Sequence, residues 1–189
     1  MVATKHTLVA LVEDKPGVLN RVASLFRRRG FNIESIAVGR TEQPGISRMT
    51  IVVDGAASMV EQVRKQLDKV IDVVKVSDIS GDEVVARELA LIKVRATASN
   101  RSEIIQIVDI FRANIVDVAP DSVTVEVTGD EDKIDSLLDL LRGFGIKELA
   151  RTGRIAMTRG GVGPLSVEEE PTTRPRKGKA RTGTLPPSK

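Results

Sequence analysis

Cysteine, tryptophan and tyrosine are absent from this chain, and histidine occurs once. Without cysteine there is no disulfide framework, no thiolate metal site and no thiol nucleophile. That fits a reducing compartment, and a cytoplasmic location is expected. Aromatic residues make up only 2% of the chain. Stacking of bases on aromatic platforms is therefore disfavoured, and no nucleic-acid partner is expected. No apolar run is long enough to cross a bilayer, so no membrane association is expected either. The opening MVATKHTLVALVEDKPG lacks the apolar core and cleavage site of a secretion signal. The lone His6 cannot build a histidine metal cluster and reads as a solvated residue at a strand edge rather than a catalytic base. There is no Gly-rich phosphate loop, because RGGVGP from Arg159 follows the last strand and opens no helix. Asp130, Glu131, Asp132 and Asp135 gather at a helix start, where the dipole favours acids; a divalent-ion site there is the weaker alternative.

What is present is an ordinary globular composition, 41% hydrophobic and 29% charged. The net charge of +3 is uneven: residues 171–189 carry six basic groups and no acid, leaving 23 basic against 26 acidic residues elsewhere. The basic character thus belongs to the tail, which is too poor in apolar residues to offset the entropy of ordering it. Residues 161–189 are expected to be a disordered basic tail.

Period counting resolves the rest into two similar halves. In the first, strands are predicted over 6–13, 31–39, 46–54 and 70–79, with helices over 16–29 and 57–69. Leu19, Val22, Ala23 and Phe26 recur at helical spacing in the first helix. In the second, strands are predicted over 87–96, 114–119, 122–128 and 146–157, with helices over 103–112 and 133–142. Each half reads β-α-β-β-α-β. The expected fold is α+β: two tandem ferredoxin-like units with antiparallel sheets, residues 4–81 and 82–160. Each sheet also carries apolar residues on the face away from its helices, and contact between chains is one way to cover them.

The stretch VEDKPGVLNRVASLFRRRGFNIES, residues 12–35, carries the most chemistry. Stability alone accounts for much of it. Asp14 suits a cap or turn, Pro16 the first helical position, Arg27 to Arg29 the negative end of the helix dipole, and Gly30 the stop. Gly17 fits that account poorly, since Gly in a first turn costs roughly 0.5–1 kcal/mol relative to Ala. It also opens space beside unpaired N–H groups, where a carboxylate can dock. An amino acid needs a further partner for its ammonium group, such as a carbonyl or Asp14, and Asn32 could serve either end of a zwitterion.

At these residues the chain resembles a family. LVEDKPGVLNRVASLFRRRGFNIESIAVG followed by SRMTIVV is similar to the small regulatory subunits of acetolactate synthase (acetohydroxyacid synthase). The D-x-P-G-x-L opening is shared by ACT domains generally; R-R-G-F-N-I-E-S-I with S-R-M-T-I is more specific. The similarity spans roughly residues 4–160, including ELALIKV and IFRANIVDV. It implies a non-catalytic chain that binds and activates a separate large subunit dependent on thiamine diphosphate, with magnesium and FAD also expected there and no cofactor in this chain. The holoenzyme makes acetolactate from pyruvate towards valine and leucine, and acetohydroxybutyrate towards isoleucine, and valine feeds back through the small subunit. It further implies a homodimer through the ACT domain, with L-valine at the interface. One chain would bring Val12, Asp14, Pro16, Gly17, Val18 and Leu19; the other would bring Asn32 and Ile33. Asn20 matches a position linked to valine sensitivity. The second unit has TASNRSEII and no Gly at its helix start, so no equivalent site is expected there; that half is expected to contact the large subunit or stabilise the assembly. The alternative is a stand-alone amino-acid-sensing ACT protein regulating another enzyme or transcription, although no DNA-reading segment is evident outside the two repeats.

Overall fold

Residues 6–12 of the first strand are buried without a break, which requires packing on both faces and a neighbour on each edge. The computed structural model, which describes residues 5–160, supplies all of these. The elements of the first unit are β1 (Lys5–Glu13), α1 (Val18–Arg29), β2 (Ile33–Arg40), β3 (Ile46–Asp54), α2 (Ala57–Leu67) and β4 (Val73–Asp78). Their sheet order is β2-β3-β1-β4, antiparallel throughout. The second unit runs β5 (Val84–Arg95), α3 (Arg101–Ile110), β6 (Asn114–Ala119), β7 (Ser122–Gly129), α4 (Glu131–Arg142), β8 (Ile146–Arg151) and β9 (Ile155–Thr158). Its order β6-β7-β5-β8 repeats that of the first, with β9 added against β5. The two ferredoxin-like units expected from the sequence are present.

Each unit has its own core. In the first, alternate residues Leu8, Ala10 and Val12 of β1 meet Val22 and Phe26 of α1 and Val63 of α2. Phe26 is 1% exposed and meets Phe31 edge-on, with ring centroids 6.4 Å apart. Complete burial of such a side chain contributes about 1.5–3 kcal/mol. In the second unit, Ile92 and Val94 of β5 meet Ile104 of α3 and Leu137 and Leu141 of α4.

The structure corrects four readings. The first helix begins at Val18, not Pro16, because Gly17 takes the left-handed cap position with φ 89° and ψ −10°. The predicted strand over 146–157 is two strands, separated at Gly153, whose φ is 81°. β5 starts at Val84, three residues early, because residues 84–87 pair with β9. His6 is 9% exposed rather than solvated: β1 is an interior strand, between β3 and β4, and the imidazole Nδ1 lies 3.7 Å from Asp78 Oδ2. The expectation of a disordered tail falls on residues 161–189, outside the described residues.

The face of the first sheet away from its helices is covered in part from within the chain. Val9 points there and packs with Ile79, Ala156, Val84 and Ala86. The β5–β9 ribbon of the second unit thus lies against the first unit.

Candidate functional site

The β1–α1 loop is held on both sides by main-chain bonds. Glu13 N–H donates to Asp72 O at 2.9 Å, ahead of β4, and Asp14 N–H donates to Gly45 O at 2.8 Å, in the β2–β3 turn. Asp72 also receives the Arg21 guanidinium, and the Asp14 carboxylate receives Arg40 Nε at 3.1 Å. The path of the loop is therefore set by three elements rather than by its own composition.

At its end, Gly17 turns the chain into α1, and its carbonyl accepts the Arg21 N–H at 3.0 Å. No side chain caps this helix and no acid lies in its first turn. The first N–H groups of a helix have no partner within it; here Val18 N–H donates to Lys15 O at 3.5 Å, and no acid of the first turn competes for the others. A Cβ built on Gly17 would meet nothing within 4 Å. The loop mouth is open, electropositive by its helix dipole, and suited to a carboxylate.

The nine residues singled out in the sequence separate into three groups. Asp14, Pro16, Gly17, Leu19 and Asn20 are exposed around the loop and first turn. Leu19, half exposed, is the apolar side chain they present. Val12 and Val18, 1% and 3% exposed, point into the core, so they offer the loop only backbone. Asn32 and Ile33 lie beyond the other end of α1, Asn32 exposed and Ile33 packed against the core. Twelve helical residues separate the groups by about 18 Å. One chain therefore holds the two groups at opposite ends of its first helix and does not unite them.

Arg40, Gly45 and Asp72 belong to the loop's surroundings and are not visible in its local sequence. Strand register brings Arg40 opposite Ser47, the β2–β3 turn supplies Gly45, and Asp72 reaches the loop from the segment ahead of β4. In the second unit the corresponding corner is filled by side chains. Arg101 Nη2 donates to the Ala119 and Pro120 carbonyls at 2.8 and 2.9 Å, and Asn100 Oδ1 accepts Thr97 N–H at 2.7 Å. Three of the four acids at the start of α4 are also engaged: Asp130 caps the helix, Glu131 binds Lys5 and Arg154, and Asp135 binds Arg151.

Comparison with known proteins agrees with this division. Residues 8–75 match the family model described as the AHAS small subunit-like ACT domain, and residues 87–160 match the small subunit of acetolactate synthase. The chain is 61% identical over 156 residues to a probable acetolactate synthase small subunit of Archaeoglobus fulgidus, covering 82% of this chain and 98% of that one. It is 55% identical to the acetolactate synthase small subunit of Mycobacterium bovis, covering 84% and 95%. The crystal structure of the acetolactate synthase small subunit from Thermotoga maritima superposes with a TM-score of 0.77 at 44% identity, covering 84% of this chain and 99% of that one.

Proposed function

This chain belongs to the family of acetolactate synthase small subunits, and from that membership we propose that it activates the catalytic large subunit and carries valine feedback inhibition. Thiamine diphosphate, magnesium and FAD are assigned in this reading to the large subunit, and the small subunit performs no chemistry of its own. The observation that carries the reading is the pair of half-sites at opposite ends of α1. A symmetric dimer through β2 would complete them. β2 is an edge strand of eight residues. Antiparallel pairing with its copy sets the start of one β2, with Asn32 and Ile33, beside the end of the other, where Arg40 holds Asp14. The carboxylate of valine then takes the open N-terminus of α1, the side-chain amide of Asn32 from the second chain serves the polar end, and Leu19 and Ile33 face the isopropyl group. Arg40 neutralises Asp14 in the single chain, so the ammonium group competes with a guanidinium for that carboxylate.

Inhibition follows when valine prefers the less active arrangement of the two chains; a coupling of about 1–3 kcal/mol is typical of such control. The test is calorimetric titration with L-valine, D-valine as control, followed by reconstitution with a large subunit. Wild-type chain is expected to bind L-valine at roughly one site per chain. Gly17→Asp, which places a carboxylate in the anion position, is expected to abolish valine inhibition while acetolactate synthesis is still activated. Full valine sensitivity in that variant would refute the site.

A further inference from the structure

A cavity of ≈ 320 Å³ lies between the outer face of the first sheet and the β5–β9 ribbon. Ala37 of β2 and Thr50 of β3 form one wall; Val85, Ile155 and Met157 form the other. The size falls in the range of about 300–1,000 Å³ usual for small-molecule sites. Ile155 and Met157 are 58% and 61% exposed, so the apolar rim is open to solvent.

The charge of the lining is one-sided. Arg40, Arg48 and Arg87 contribute to it, and no Asp or Glu does. Arg40 is occupied by Asp14. Arg48 and Arg87 have only main-chain partners: Arg48 Nη2 donates to Ala156 O at 2.7 Å, and Arg87 Nη1 donates to Ala86 O at 2.7 Å. Neither forms an ion pair among the described residues. Burial pushes the Arg48 guanidinium below its ordinary value, against a weaker opposing pull from Glu42. Glu42 attracts Arg48 without forming an ion pair with it, and a guanidinium fork that serves a single carbonyl leaves most of its donors unused. Arg48 belongs to the SRMTI motif, and the valine site makes no use of it.

We propose that this cavity binds a small aliphatic monocarboxylate, its carboxylate held by Arg48 and Arg87 and its hydrocarbon chain lying against Val85, Ile155 and Met157. The absence of an acid in the lining leaves no partner for an ammonium group, so the site selects acids over amino acids. It therefore differs from the α1 loop in chemistry, with Arg40 bordering both. Arg48 lies on β3 of the first unit and Arg87 on β5 of the second, so a bound carboxylate ties the two units together.

The probe is isovalerate, added to the full chain while the Met157 methyl resonance is followed by NMR, with affinity from calorimetry. Isobutylamine and sulfate are controls for the wrong charge and for an anion without a chain. Saturable isovalerate binding that shifts Met157, with neither control competing at the same concentration, is expected. Arg48→Met and Arg87→Met are each expected to weaken it by about tenfold or more, the loss of a charge-assisted hydrogen bond. Because Arg48 also holds β9, Met157→Trp provides a variant that fills the cavity without touching that bond, and it too is expected to abolish binding. 3-Methyl-2-oxobutanoate distinguishes the source: tighter binding than isovalerate assigns the site to 2-oxo acids, weaker binding to saturated acids, and both support it. Gly17→Asp is expected to leave isovalerate binding unchanged, so this inference and the valine reading fail separately. No binding, binding insensitive to all three cavity variants, or equal binding of isobutylamine or sulfate would overturn it.

Discussion

Two glycines with nearly the same backbone angle have different surroundings, and so different expected costs. Gly17 and Gly153 both have positive φ, 89° and 81°. A Cβ on Gly17 enters open space, whereas one on Gly153 lies 2.7 Å from Ser35 Oγ and 3.3 Å from Ile36 O. Gly17→Ala is expected to cost only the left-handed conformation, about 1–2 kcal/mol. Gly153→Ala is expected to lose a further 1–3 kcal/mol or so from overpacking, with urea denaturation as the measurement. The importance of Gly17 was legible from its place after Pro16; that of Gly153 was not, because its neighbour Ser35 is far away in sequence. Charge shows a second residue-scale effect. Glu61 accepts two bonds from Arg64, both at 2.8 Å, and lies 3.5 Å from Lys65. The Arg64 bonds, with Lys65 adding to them, hold its carboxyl down at about 2 from an ordinary 4.5. A depressed folded value means that the stabilisation is present above pH 4.5 and lost as pH falls towards 2. An NMR titration of Glu61 is expected to show this, and Arg64→Gln to move its midpoint upward. An unchanged midpoint would remove Arg64 as the cause.

At the scale of elements, apolar periodicity predicted every helix of the described residues and the start of α2 at Ala57, but not the starts of α1, α3 and α4. Pro16 suits a first helical position, yet the chain starts α1 two residues later because the left-handed Gly17 must come first. Of the four helices in the described residues, only α4 has a side-chain cap, Lys133 N–H donating to Asp130 Oδ1 at 2.9 Å. Asp130→Ala is accordingly expected to cost about 0.5–2 kcal/mol. Circular dichroism during thermal unfolding, with Asp130→Asn as a near-neutral control, would check it. Among the strands, β8 and β9 read as one run because both are apolar or alternating; the break falls at Thr152-Gly153-Arg154, where Gly was the available signal. What redirects the strand is pairing, β8 with residues 90–94 of β5 and β9 with residues 84–87.

In the whole molecule, the two units are joined by charge as well as by the β5–β9 ribbon. Lys5 Nζ lies 2.5 Å from Glu131 and 2.6 Å from Glu34, and Arg154 Nη2 lies 2.6 Å from Glu131. Arg154 N–H also donates to Ser35 Oγ at 2.9 Å. Glu131 is the shared acceptor of this junction. Glu131→Gln is expected to speed hydrogen exchange at Arg154 and along β2 while leaving both cores protected; equal exchange in wild type and variant would show that apolar packing alone holds the units. The same junction responds to alkali. Hydrogen bonds from Lys5 to Glu131, then Glu34, raise the lysine above its ordinary 10.5. Its contribution is therefore complete below pH 10.5 and lost as pH rises through the raised value. Because these groups are partly exposed, the effect is small per pair and screened by salt.

The order of residues by itself determined two β-α-β-β-α-β units, the apolar faces of their helices, the loop around Gly17 and the absence of cysteine chemistry. These are local properties, written in periods of two and 3.6 residues and in single turns. Only the tertiary structure decided that β1 is an interior strand that buries His6, that α1 sets Gly17 and Asn32 about 18 Å apart, and that Arg48 meets Ala156 across 108 residues of chain. Such contacts depend on strand register and on the angle between units, where a shift of one residue would turn each side chain to the opposite face.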